Sequence, residues 1–224
     1  MKIAEIFYSV QGEGSLVGVP SVFVRTSGCN LRCSWCDTPY TSWNPEGDEL
    51  SIDEILHRAQ RFESARHVVL TGGEPMLAPA IVELSHRFRA LGIHITIETA
   101  GTVFQAVECD LMSISPKLSN STPEGAFHAQ HERLRRQPDV LRRLIAVCDY
   151  QLKFVIARQQ DIVEVQALTD ELKVPSAKVI LMPEGISTAV LTERGVWVAE
   201  LCKQHGYRFS PRLHVDLYGN RRGV

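Results

Sequence analysis

The chain has 224 residues, of which 44% are hydrophobic and 22% charged, with a formal net charge of -2; this is the make-up of one ordinary globular domain spanning 1 to 224. The near-neutral balance argues against a nucleic-acid footprint over a whole face, and no apolar stretch approaches the roughly 20 residues of a membrane helix. No export signal opens the sequence and a chain this long builds a core without disulfide staples, so six reduced cysteines in a cytoplasmic protein are expected.

In chain order, apolar and β-branched runs alternate with stretches of helical period, the pattern of βα units around a mainly parallel sheet in an α/β fold. "SVFVRTS" (21 to 27) reads as the first strand and runs into "GCNLRCSWCDTPY" (28 to 40), which sets Cys29, Cys33 and Cys36 within eight residues. A helix opens at Ser51, where Glu54 three residues on completes a capping box. "HVVLT" (67 to 71) is the next strand, followed by "TGGEP" (71 to 75) and a helix from about 79 to Leu91 that stops at Gly92. "IHITIET" (93 to 99) and "LMSIS" (111 to 115) continue the sheet. The polar segment 117 to 137 reads as a mobile insertion, with a short helix after Pro138. "YQLKFVI" (150 to 156), a helix over 161 to 173, "KVILM" (178 to 182), a helix over 187 to 204 and "YRFSPRLHV" (207 to 215) complete a series of about seven strands. The basic runs at 133 to 143 and at "NRRGV" read as solvated surface.

The polar signals gather at the carboxyl ends of these strands: "TGGEP", "ETAGT" (98 to 102), "SPK" (115 to 117), "MPEG" (182 to 185) and His214. In a parallel α/β barrel those ends share one face, where active sites are built, and the cysteine cluster opens onto the same face. A structural zinc site wants four ligands. Only three sulfurs are local here, and Cys109, Cys148 and Cys202 stand alone as small buried hydrophobes. Three thiolates suit instead three irons of a 4Fe-4S cluster whose fourth iron stays open to a ligand.

Cys29, Cys33, Trp35 and Cys36 resemble the CxxxCxxC signature of the radical S-adenosylmethionine enzymes, and "TGGEP" resembles that family's loop for the methionine amino group. The resemblance implies a partial, TIM-like barrel of six βα units in a single domain, with the cluster loop after the first barrel strand. "EIFYSVQGEG" (5 to 14), "VFVRTSGCNLRCSWCDT" (22 to 38), "IETAGT", "SPK" and "LH" near the end are similar to the subgroup that makes 7-carboxy-7-deazaguanine. That implies conversion of 6-carboxy-5,6,7,8-tetrahydropterin with loss of ammonia, on the way to queuosine and related 7-deazapurines. It also implies a magnesium ion, S-adenosyl-L-methionine regenerated at each turnover, a reductant such as flavodoxin or ferredoxin, and a homodimer.

Site roles follow from the resemblance position by position. Cys29, Cys33 and Cys36 are the expected cluster ligands. Thr38 resembles the magnesium ligand, a hard oxygen donor, although alone it reads as a turn threonine before Pro39. Val10, Gln11 and Gly12 resemble the loop that reads the pterin, with Glu13 beside them; alone, Glu13 reads as a loop acid. Arg25 alternates with Val22 and Val24 and is expected to face the barrel interior, compensated by a substrate carboxylate. Thr71 and His214 are similarly placed for substrate. Gly72 and Gly73 are expected to let the backbone approach the methionine moiety, with Glu74 taking its ammonium; alone, Glu74 reads as a helix-start acid before Pro75. Trp35, Cys36 and Asp37 face the adenosyl half. Ser115, Pro116 and Lys117 match the segment at the ribose and carboxylate, Leu181, Met182, Pro183 and Glu184 the stretch beside adenine, and Glu98 is a further ribose candidate. Lys153, inside an otherwise apolar strand, either faces the site or snorkels.

Two other readings share features. A glycyl-radical activating protein shares the cysteine spacing but gives no reason for "QGEG", Arg25 and Thr38 to occur together. A noncatalytic metal- or RNA-binding module predicts zinc and no cleavage of the cofactor.

Overall fold

Strands of alternating apolar and polar residues turn opposite faces to opposite environments, and that rule organises the computed structural model, which describes residues 1–224. The elements run β1 (Lys2–Val10), β2 (Pro20–Thr26), α1 (Pro39–Ser42), β3 (Asp48–Glu49), α2 (Ile52–Gln60), β4 (His67–Gly72), α3 (Ile81–Ala90), β5 (His94–Thr99), β6 (Leu111–Ile114), α4 (His128–Arg135), α5 (Pro138–Ile145), β7 (Asp149–Ile156), α6 (Asp161–Leu172), β8 (Val179–Pro183), α7 (Thr188–His205), β9 (Arg208–Phe209) and α8 (Leu213–Tyr218). One nine-stranded sheet has the order β3-β1-β2-β4-β5-β6-β7-β8-β9. β2 and β4 to β8 pair in parallel, as a partial barrel requires, while β1 is antiparallel to both β2 and β3.

The outward residues of the parallel strands, among them Val22, Val24, Leu70, Ile97, Met112, Ile114, Phe154 and Leu181, pack under the helices in one continuous core. From the helices come Ile55 and Leu56 of α2, Leu84 and Phe88 of α3, Leu141 and Leu144 of α5, Val165 and Leu168 of α6, and Val198 of α7. The capping box at Ser51 forms as expected, the Ser51 hydroxyl accepting from the Glu54 N–H and Glu54 from the Ser51 N–H.

Three expectations need correction. β1 precedes the predicted first strand, so the sheet carries an antiparallel edge that the mainly parallel pattern lacks. The predicted strand 207 to 215 is only two residues long: Pro211 cannot donate to a ladder, and the chain turns into α8, placing His214 on a helix. The segment 117 to 137 is packed rather than loose. Its Ser121 and His131 are buried, His131 Nδ1 accepts the Arg32 N–H at 3.1 Å, and Ser121 O accepts the Ser34 N–H at 2.9 Å, so the segment floors the cysteine loop. Cys109 and Cys202 are buried as expected, whereas Cys148 is half-buried.

The sheet does not close. The loop after β1 reaches over the open side to the segment after β9: Gly14 N–H donates to Ser210 Oγ at 2.7 Å, and Leu213 N–H to Gly12 O at 2.9 Å.

Candidate active site

The inward residues of the same strands are polar where the outward ones are apolar. Register sets them side by side: Arg25 lies opposite Thr71, Glu98 opposite Ser113, and Ser113 opposite Gln151. Neighbours in this belt bond laterally, Thr71 Oγ1 donating to Glu98 at 2.9 Å and Gln151 Nε2 to Ser113 Oγ at 2.8 Å. Above the belt a cavity of about 470 Å³ opens at the carboxyl ends of the strands, and Cys29, Cys33, Cys36, Arg25, Thr71 and Glu98 are among its walls. Its size is that of a small-molecule site.

Buried charges in the cavity are paired, as burial demands. Lys153 faces it and does not snorkel; its ammonium meets Glu13 and lies 3.9 Å from Glu98. Arg212 Nε donates to Glu13 at 3.0 Å and its Nη2 to Asp37. Burial alone would raise the Glu13 pKa, yet Lys153 and Arg212 together hold it far below the usual carboxylate range. Glu13 is therefore no solvated loop acid. His214 lines the cavity from α8 and its ring occupies the space that a Cβ at Gly12 would fill, 2.0 Å away; burial lowers its pKa.

Arg25 corrects an expectation. Its Nε donates to Glu5 of β1 at 2.7 Å, and Tyr40 Oη donates to the same carboxylate at 2.8 Å, so the protein itself compensates the guanidinium. The Gln11 amide is likewise committed within the fold: it donates to Glu98 at 3.2 Å and accepts the Glu13 N–H at 3.1 Å. Glu98, expected at the ribose, contacts Gln11 and Thr71, two residues expected at the pterin, and lies 3.9 Å from Lys153.

The cysteine loop closes the other side. Cys29 and Cys36 pack with Leu31, Cys33 and Ala100 in a small apolar cluster. Burial pushes the Cys29 thiol up to about 11 and the Cys33 thiol up to about 12, so thiolates there need a cationic partner such as iron. No three His, Cys, Asp or Glu side chains converge on a single-ion point. All three thiols line the cavity, and three thiolates with an open fourth position are the donor set of a 4Fe-4S cluster. Thr38 faces the same space, its hydroxyl making only long contacts, 3.9 Å to Cys36 Sγ and 3.4 Å from Thr41 Oγ1. Lys117 Nζ donates to Ser115 O at 2.8 Å and sits 5.9 Å over the Trp35 ring.

Four expected contacts lie outside the cavity wall. Glu74 is buried and turned away, accepting from Thr99 Oγ1 at 2.7 Å, Ala100 N–H at 2.8 Å and Met76 N–H at 3.1 Å. Pro116, Leu181 and Pro183 are also buried away from it; strand alternation gives Met182 and Glu184 to the cavity and Leu181 to the core. Gly72 and Gly73 line the cavity, and the fold itself also requires them. A Cβ on Gly73 would stand 2.3 Å from Gly28 O and 2.7 Å from Thr41 O, and one on Gly72 2.3 Å from Thr26 O, so these glycines let two loops of the protein touch. Arg212, Glu5, Phe23, Tyr40, Ser113 and the segment 220 to 224 also line the cavity. The tail both borders the cavity and stays exposed over 220 to 223, so closing the pocket and lying at the surface, the two readings its sequence allows, go together.

Comparison with known proteins shows what the whole chain resembles. The model of the radical SAM superfamily matches residues 23–153. The 7-carboxy-7-deazaguanine synthase of Halobacterium salinarum is 46% identical over 98% of this chain and 91% of its own length. That of Rhodopirellula baltica is 43% identical over 99% and 88%. The crystal structure of QueE from Escherichia coli superposes with a TM-score of 0.72 at 26% identity, covering 95% of this chain and 94% of that one.

Proposed function

The chain belongs to the 7-carboxy-7-deazaguanine synthases of the radical S-adenosylmethionine superfamily, and from that premise we propose how its residues divide the work. The enzyme contracts the ring of 6-carboxy-5,6,7,8-tetrahydropterin to 7-carboxy-7-deazaguanine with loss of ammonia. Bound here, a 4Fe-4S cluster and S-adenosyl-L-methionine would supply one-electron radical chemistry.

Cys29, Cys33 and Cys36 hold the cluster. Trp35, Asp37, the Gly72–Gly73 turn, Ser115, Lys117, Met182 and Glu184 line the cofactor side. Val10, Gly12, Glu13, Thr71, Glu98 and His214 line the pterin side, where the carboxylate oxygens of Glu13 and Glu98 face the pterin's donor edge. Arg25, already tied to Glu5, offers its remaining N–H groups to the substrate carboxylate. Thr38 would offer its hydroxyl to a magnesium ion, whose positive charge would favour binding of the substrate carboxylate. The walls exclude water and other hydrogen donors, because a primary alkyl radical attacks almost anything close.

The observation that carries this reading is the meeting, in one cavity, of the cysteine loop and a belt of laterally bonded polar side chains. An activating protein, which works on a partner chain, has no use for such a belt, and that alternative is not favoured. We extend the proposal to a flavodoxin or ferredoxin as reductant, a homodimer, and a cytoplasmic setting; no helix is long and apolar enough to cross a membrane. The test is an anaerobic reaction of reconstituted protein with dithionite, magnesium, S-adenosyl-L-methionine and 6-carboxytetrahydropterin, read by mass spectrometry. Product in excess of cofactor consumed is expected; 5'-deoxyadenosine without product refutes the substrate.

A further inference from the structure

Arg212 touches three loops that come from distant parts of the chain. Its Nε donates to Glu13 at 3.0 Å, its Nη1 to the Gly185 carbonyl at 2.7 Å, and its Nη2 to Asp37. The side chain is 9% exposed. Glu13 belongs to the loop proposed to meet the pterin. Asp37 sits between the cluster ligand Cys36 and Thr38, and Gly185 follows Glu184 on the cofactor side. Its own backbone opens α8, and the next residue, Leu213, bonds Gly12 O at 2.9 Å, so the guanidinium and the chain that bears it grip the same pterin loop.

A guanidinium is a rigid planar fork whose N–H directions are fixed. Acceptors bonded along its edges are held in fixed relation to one another, which the compact ammonium of lysine cannot do. The two carboxylates depend on it unequally. Glu13 keeps a second cation in Lys153, whereas Asp37 has an ion pair with Arg212 alone. Without the fork, the cluster loop loses its charged tie to the pterin loop, while the cysteines and the Gly72–Gly73 turn keep their own contacts.

Resting on the synthase reading above, we infer that Arg212 is a positioning residue that fixes the pterin loop against the cluster loop and so couples cofactor cleavage to ring contraction. Forming the radical needs the cluster loop and the cofactor; using it needs the pterin carbon beside it. A displacement near 1 Å costs on the order of 100-fold in a reaction that depends on such alignment.

The experiment compares wild type with Arg212→Lys and Arg212→Gln, each reconstituted anaerobically, measuring iron content, 5'-deoxyadenosine and 7-carboxy-7-deazaguanine in one reaction. Both variants are expected to keep their iron and to cleave S-adenosyl-L-methionine, with the ratio of 5'-deoxyadenosine to product raised about 10- to 100-fold. A fall in both products at an unchanged ratio means simple structural support and overturns the inference. So does an unchanged ratio in Arg212→Lys, since charge without the fork would then suffice. If Arg212→Gln does not fold, Arg212→Lys alone decides. Wild type that yields 5'-deoxyadenosine and no product overturns the synthase reading and the inference with it; wild type that yields product beside an unmoved lysine ratio overturns the inference alone.

Discussion

Replacing Gly73 by alanine separates two reasons for a glycine in the "TGGEP" loop. Ordinary contact begins at 3.4 Å, and the added Cβ would stand 2.3 Å from Gly28 O, so that oxygen must retreat by the difference, about 1.1 Å. Gly28 is not free to move. Its carbonyl accepts the Glu74 N–H at 2.9 Å and its N–H donates to Thr41 O at 2.8 Å. Losing two such bonds costs roughly 1 kcal/mol each, and overpacking adds about 1–3 kcal/mol. A total of about 3–5 kcal/mol lowers the melting temperature of a chain this size by roughly 6–20 °C. The assay is thermal unfolding of the cofactor-free, iron-free protein, because the clash is between parts of the chain itself. If Gly73→Ala leaves the apo protein's melting temperature unchanged and only weakens S-adenosyl-L-methionine binding, the glycine serves the ligand and the loop-packing argument is wrong.

Acid should loosen the floor under the cysteine loop. Burial lowers the pKa of both His67 and His131 to about 4, against about 6.5 in an unfolded chain. Between those values the unfolded chain binds protons that the folded chain refuses, so stability declines as pH falls from about 6.5 towards 4 and is level above. Protonated His131 also loses the acceptor that holds the Arg32 N–H. Urea unfolding across this range should show a shallower slope for His131→Gln than for wild type; equal slopes discount the group. Thr38→Val keeps the shape and removes the hydroxyl, so half-saturation of turnover by magnesium should rise by about 10-fold or more. An unchanged magnesium dependence removes Thr38 from the metal site.

Much of the sheet was legible because alternation is a strong signal: β2 and β4 to β8 fall within a residue or two of their expected positions. β1 was not, since its half-buried pattern, interrupted by Glu5, lacks the clean apolar run of a central strand. That omission propagated into the site. The partner of Arg25 is Glu5 on the unread strand, and with it missing the substrate carboxylate was the natural compensation. The last strand failed for a different reason, Pro211, whose veto on further ladder pairing is itself readable. The cysteine loop was legible because its ligands are close in sequence. Arg212 was not: its partner Glu13 lies 199 residues away, and no spacing rule says which buried acid a given arginine will meet. Glu74 misled because a polar residue in a motif can serve the loop's own backbone as readily as a ligand.

The unclosed edge of the sheet gives the molecule two materials. Its durable part is oil and backbone ladder: a continuous apolar layer between strands and helices, indifferent to ionic strength. The enclosure of the cavity is instead fastened by a few charged and hydrogen-bonded side chains across the gap between β1 and β9, so it can be undone without any strand leaving its neighbour. A substitution among those fasteners, Glu13 or Arg212 for instance, can therefore deform the chamber in a protein whose spectroscopic secondary structure is untouched.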